Sequence, residues 1–228
     1  MGYFMKKFKS IPVLFVLSMV LIVCAACQPP IEKYGHLISE LRDNVYTALS
    51  ENYTVNIITG KREEPFMMDG HACGAQDFTL ITIDPKAGEH TYTYRVKLND
   101  VEYSGEFLAH PFARTYSADI TAMACDTEIE LTVTVNGSSE TLAVKSVKTE
   151  QMIASEKAIE IAEKKLRGGI DSFRVGGVLT CEIYVRLMAN PIDNSGGYYW
   201  YVAFIGENQA IYAVLIEPVN MQVVAIRN

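Results

Sequence analysis

The chain has 228 residues, 49% hydrophobic and 21% charged, a globular composition that leaves bulk disorder out. Lys6, Lys7 and Lys9 are the only basic residues before position 27, so the remainder carries 17 basic against 27 acidic residues, a balance of 17 − 27 = −10. That balance argues against nucleic acid as a partner, because phosphates need a basic surface, and against a polybasic hold on anionic lipid. The acidity is uneven: residues 27–150 hold 19 acids and 10 bases, residues 151–228 hold 8 and 7, so a composition shift marks a boundary near 150.

Residues 1–9 carry three lysines and no acid, residues 11–23 are an uncharged apolar run, and Cys24-Ala25-Ala26-Cys27 comes next. A basic start, a short apolar middle and small residues before a cut form a signal-peptide layout. As a helix, Ile11 to Ala26 would span about 24 Å, short against a bilayer core of about 30 Å. The stretch Cys24-Ala25-Ala26-Cys27 resembles the lipobox of bacterial lipoproteins, with an aliphatic residue replaced by Cys24. The resemblance implies diacylglycerol on the Cys27 sulfur, cleavage after Ala26, and a membrane-anchored chain on the extracytoplasmic face of the cell envelope. A redox or zinc pair is the rival for the two cysteines, but no second ligand pair accompanies them.

Residues 27–32, with Gln28-Pro29-Pro30, read as the lipidated tether. Leu37, Leu41, Val45 and Leu49 then recur every four residues, which predicts an amphipathic helix packed on the strands C-terminal to it.

Residues 53–150 predict seven strands: 53–59, 78–83, 91–98, 101–107, 116–124, 129–135 and 141–147. Asn99-Asp100 and Asn136-Gly137 mark the tight turns. Together with the helix they predict a domain over 33–150 that is similar to an immunoglobulin-like β-sandwich. Cys73 and Cys125 are candidates for a disulfide in an exported protein, or for two buried thiols. Cys181 reads as a core thiol on the Cys181, Ile183, Val185, Leu187 side of a strand.

Residues 151–228 predict a small α+β domain: Ser155 capping a helix over 156–167, a stop at Gly168-Gly169, then strands 178–188, 199–205, 211–216 and 221–226 on an antiparallel sheet. Ser155–Ala162, Tyr199–Val202, Ala213–Ile216 and Val223–Ile226 resemble a PepSY-type domain over about 75 residues, although Glu217-Pro218-Val219-Asn220 stands where that family has a turn glycine. The resemblance implies regulatory contact with a partner such as an exported peptidase, and supplies no catalytic residue.

The motifs of serine hydrolases, zinc proteases and phosphate-binding loops are missing from the sequence. Asp69, His71 and Cys73 are a weak metal or thiol–base candidate and read more simply as a polar turn. Tyr199, Trp200 and Tyr201 are candidates for contact with a sugar or a peptide, since alternate residues of a strand face opposite ways. The expectation is a non-enzymatic surface lipoprotein with no cofactor or metal. Its partners would be the membrane, through lipid, and an envelope protein, an exported peptidase or a cell-wall ligand.

Overall fold

A computed structural model describes residues 33–63, 74–86, 88, 90–192, 196–207 and 209–228. The leader and tether, with Cys27, and the stretch 64–73, with Asp69, His71 and Cys73, lie outside the described residues.

The predicted amphipathic helix is a strand. Residues Ile38–Leu49 form β1, which pairs antiparallel with β2 (Tyr53–Glu63) from Glu40 to Leu49. The physical reason lies in the spacing. A repeat of four is close to one helical turn, but it is also even and so fits strand alternation as well; in the strand an extra residue at Asp43 sends Leu41 and Val45 to opposite faces, and Leu49 is exposed. Pairing with β2 decides between the two, and the Val45-Tyr46-Thr47 run is a good strand former.

Six further strands and a two-residue bridge continue the chain: β3 (Ala75–Pro85), β4 (Tyr92–Leu98), β5 (Val101–Glu106), β6 (Leu108–Ala109), β7 (Tyr116–Ile120), β8 (Glu128–Val135) and β9 (Ser138–Ser146). They do not form an immunoglobulin-like sandwich. The hydrogen-bonded order is β6-β7-β3-β2-β1-β9-β8-β4-β5, and β5 returns beside β7, so the sheet curls into a nearly closed barrel. Strand spacing and turns are alike in a sandwich and a barrel; only the partner of each edge separates them. The turn signals hold locally: Asn99, Asp100, Asn136 and Gly137 all have positive φ, as a two-residue type I′ hairpin turn requires. Val55, Ile57, Ile81, Ile83, Leu131 and Val133 alternate inward with Tyr46 and Tyr92 to fill the barrel.

The chain then forms α1 (Ser155–Ile170), the small ribbon β10 (Arg174–Val175) and β11 (Val178–Leu179), and strands β12 (Cys181–Ala189), β13 (Tyr198–Gly206), β14 (Ile211–Ile216) and β15 (Val223–Arg227). This part is not a separate α+β sheet. β12 pairs parallel with the first half of β1, through Ile38↔Ile183, Leu41↔Val185 and Arg42↔Arg186, so a single 13-stranded sheet runs through the molecule. A parallel pair needs a long crossover, and the whole chain between β1 and β12 supplies it.

Helix α1 buries Ala158, Ile159, Ala162, Leu166 and Ile170 against β13 and β14, where Ile183, Val185, Trp200, Val202, Phe204 and Val214 complete a second core. Ala154, not Ser155, is the N-cap, and the helix runs through Gly168 and Gly169 instead of stopping there. A β-carbon on Gly169 would lie 2.3 Å from Tyr212 Cε1, so this glycine serves the close approach of β14 to the helix.

The two cores meet on β1. Arg42 pairs with Gly60 and Asn44 with Thr59, which leaves Asp43 as an extra, bulged residue. The bulge resets the alternation, so that Leu41, opposite Lys61, and Tyr46, opposite Ile57, share one face although they are five residues apart. Leu41 enters the helix-side core and Tyr46 the barrel. Asp43 itself takes Lys148 Nζ at 2.8 Å and Ser155 Oγ at 3.3 Å, which ties β1 to the start of α1.

Candidate functional site

The most developed candidate is the face of β12 and β13 that points away from α1. On β12, odd-numbered residues are buried against the helix, so Glu182, Tyr184, Arg186 and Met188 are left on the other side. On β13 the same register brings Tyr201 opposite Arg186, Tyr199 opposite Met188 and Ala203 opposite Tyr184. Tyr184, Arg186, Tyr199 and Tyr201 are all half-buried.

A three-residue ion cluster holds this face rigid. Glu40 on β1 accepts Arg42 Nε on one carboxylate oxygen at 2.6 Å, and Arg186 Nε on the other at 2.6 Å, with a further contact to the second Arg186 nitrogen. The Glu40 side chain is only 13% exposed. The Arg186 guanidinium is thereby fixed with its Cζ 4.8 Å from the Tyr184 ring centre, a stacking arrangement. Tyr184 in turn donates to Glu182 at 3.1 Å. Burial first, and then the hydrogen bond and charge of Glu182, raise the Tyr184 hydroxyl above its ordinary value, so it stays a neutral donor.

The result is a group of three half-buried tyrosines, with one guanidinium stacked on Tyr184. Such a surface can lie against a sugar ring or along an extended peptide. The groups it gathers are stacking surfaces and fixed charges rather than a nucleophile paired with a base.

The sequence-predicted residues divide across the molecule. Tyr199 and Tyr201 lie on this face. Trp200 points the other way, is fully buried, and donates its indole N–H to the Ile153 carbonyl at 2.9 Å, so it belongs to the helix-side core. Cys181 is buried, and burial pushes its thiol up to about 11. Cys125 is exposed on the loop after β7, where its N–H donates to Asn99 Oδ1 at 3.2 Å. Cys27 and Cys73 lie outside the described residues. His90 and His110 make edge contacts with Tyr92 and Phe112, respectively, and the described residues contain no cluster of three metal-ligating side chains. Among the described residues no helix is long and apolar enough to cross a membrane.

Glu40, Arg42, Tyr184 and Arg186 were not singled out by sequence. Read on a helix, Glu40 and Arg42 fall on its solvent side; the alternation of β12 was the one signal that Tyr184 and Arg186 share a face. A smaller cleft of about 210 Å³ at one end of the barrel is lined by Asn52, Tyr53, His90, Tyr92 and Glu140. There Asn52 Nδ2 donates to Glu140 Oε2 at 2.8 Å, so two of its polar groups satisfy each other.

No family model matches the sequence, and no curated protein or solved structure is similar to it at a significant level. The functional reading therefore rests on the chemistry of these surfaces and of the N-terminal segment.

Proposed function

We propose that this chain is a lipoprotein of the bacterial cell envelope, anchored through lipid on Cys27 at the extracytoplasmic membrane face, with a non-catalytic binding role. The segment Cys24-Ala25-Ala26-Cys27 after an apolar leader supports the anchor. The observation that carries the binding role is the half-buried group of Tyr184, Arg186, Tyr199 and Tyr201 on one face, braced by Glu40 from a neighbouring strand. A ligand-contacting surface gains from rigid aromatic groups, because little side-chain freedom is lost on binding. The ligand chemistry that fits is a cell-wall sugar or an extended segment of an envelope protein.

Two measurements test this. Metabolic labelling with palmitate should mark the wild-type chain and not Cys27→Ser; equal labelling of both removes the anchor. A photo-crosslinking residue at Tyr201 on intact cells should capture a discrete envelope partner, whereas one at Leu49, 75% exposed at the far end of β1, should not. The same capture pattern at both positions, or none at Tyr201, removes the binding role.

A second reading is supported by the packing of α1 on β13 and β14, the helix-and-sheet pairing that the PepSY resemblance implies. On that reading the chain modulates an exported peptidase. Addition of purified protein to a panel of secreted peptidases should then change the rate of at least one, and unchanged rates across the panel rule it out.

A further inference from the structure

Lys33 and Tyr34, just ahead of β1, lie together with the C-terminal half of α1 and the start of the ribbon β10–β11. Lys33, Lys164, Arg167 and Arg174 line a broad open cleft there, of about 690 Å³. The three acids of that cleft are already engaged: Glu163 by Lys33, Arg174 and the Tyr34 hydroxyl, Asp171 by Arg174, and Glu160 by Lys157. Lys164 and Arg167 are exposed on the outer turns of α1 and have no ion-pair partner among the described residues. Favourable interaction with the helix dipole accounts for cations near a C-terminus. It does not account for the apolar surface beside them.

Arg174 opens the ribbon, and its tip is apolar. Val175 and Val178 pair directly across a Gly176-Gly177 turn and are 70% and 62% exposed. Single exposed valines are ordinary, but two side by side at a hairpin tip, next to unpaired cations, form a surface suited to a charged lipid boundary.

Chain geometry selects the occupant. Six residue steps separate Cys27 from Lys33, a reach of at most about 20 Å even fully extended. With Cys27 in the bilayer, as the lipid anchor proposed above requires, the end carrying Lys33 is held next to the headgroups. The barrel, reached along the 12 residues of β1, is held away from them.

We infer that this end docks on an anionic phospholipid surface, with Lys164 and Arg167 against the phosphates and Val175 and Val178 inserted at the interface. The net charge of −10 deduced for the chain after its leader speaks against a polybasic grip spread over the molecule. It does not oppose a local one, because exposed charges farther away than a Debye length of about 8–10 Å are screened.

The test uses the intact lipidated protein in vesicles of brominated phosphatidylcholine with or without phosphatidylglycerol. The chain has one tryptophan, Trp200, which is fully buried and provides a constant background. In Val178→Trp the added fluorescence should be quenched in vesicles containing phosphatidylglycerol, and in Leu49→Trp it should not. Neutralising Lys164 and Arg167 together to glutamine should lower the docked-to-free ratio about 30-fold, from ~1 kcal/mol per basic side chain near an anionic surface. Unquenched Val178→Trp on protein that still floats with the vesicles overturns the docking and leaves the anchor standing. Equal quenching with and without phosphatidylglycerol overturns the role of the cations. Protein that fails to float, and behaves the same with Cys27→Ser, overturns the anchor instead.

Discussion

The carbonyl oxygen of Leu41 lies 1.8 Å from the point a β-carbon on Gly60 would occupy. The two residues sit beside the Asp43 bulge, where β1 passes from the helix-side core to the barrel. The obstacle is backbone, which cannot rotate away as a side chain can. Gly60→Ala should therefore force the bulge open and destabilise the fold by about 1–3 kcal/mol or more. Urea denaturation measures it, and an unchanged midpoint would show that the bulge is not the joint of the two cores.

Gly168 and Gly169 are neighbours in α1 with opposite surroundings. A β-carbon on Gly168 meets nothing within 4 Å, whereas one on Gly169 strikes the Tyr212 ring. Gly168→Ala should stabilise by up to ~1 kcal/mol through helix propensity, and Gly169→Ala should destabilise. Thermal melts of the pair give the comparison, and shifts of the same sign would contradict the packing of Tyr212 on the helix.

Glu40 joins β1 to β12 through two arginines. Glu40→Gln leaves both guanidinium groups without their carboxylate in a mostly sheltered place, and should cost about 2 kcal/mol. In the double variant with Arg186→Met the losses should be less than additive, because the second change removes a group that the first left unpaired. Additive losses by chemical denaturation would mean that the two residues do not act together. Weaker crosslinking at Tyr201 in Glu40→Gln would link the brace to the binding face.

Alkaline stability falls chiefly through two buried groups, Cys181 and Tyr46, and burial raises Tyr53, Tyr92, Tyr94, Tyr184 and Tyr198 in the same direction. Burial raises the Cys181 thiol from 9.0 to about 11. Burial also raises the Tyr46 hydroxyl from 10.0 to about 12, opposed by its hydrogen bond with Asn44. Both groups are neutral in the folded chain and ionise more easily when it unfolds. Their contribution to stability is thus fully present below about pH 9 and is lost progressively as pH rises from 9 to 12. Cys181→Ala should flatten the lower part of that fall and Tyr46→Phe the upper part. Tyr46→Phe should also cost about 1 kcal/mol at neutral pH, since the hydroxyl donates to the Asp126 carbonyl at 2.8 Å. Denaturation midpoints taken across this range check the sign, and a rise in stability above pH 9 would contradict it.

Local chemistry in the sequence was enough to determine much of this protein. The hairpin turns at Asn99-Asp100 and Asn136-Gly137 were legible because the turn geometry needs residues tolerant of positive φ. Alternation along residues 181–187 placed Cys181, Ile183, Val185 and Leu187 on one buried side, and the pattern of Ala158, Ile159, Ile161, Ala162 and Leu166 marked the buried side of α1, where Ile161 is only half-buried. The same alternation put Tyr199 and Tyr201 on one side of their strand and Trp200 on the other, all three as candidate contacts; the packing of α1 then decided which side is core by burying Trp200.

Only tertiary structure decided the rest, because those outcomes depend on partners far away in the chain. The four-residue repeat of Leu37 to Leu49 suits a helix and a strand alike, and β2 chose the strand by pairing with it. Seven short strands divided by turn signals suit a sandwich or a barrel, and the return of β5 to β7 chose the barrel. Gly169 looked like a stop until Tyr212 came to rest against it. The brace of Glu40 on Arg186 joins residues 146 apart in sequence, a relation no local pattern encodes, and it forms only because β1 and β12 lie parallel in one sheet.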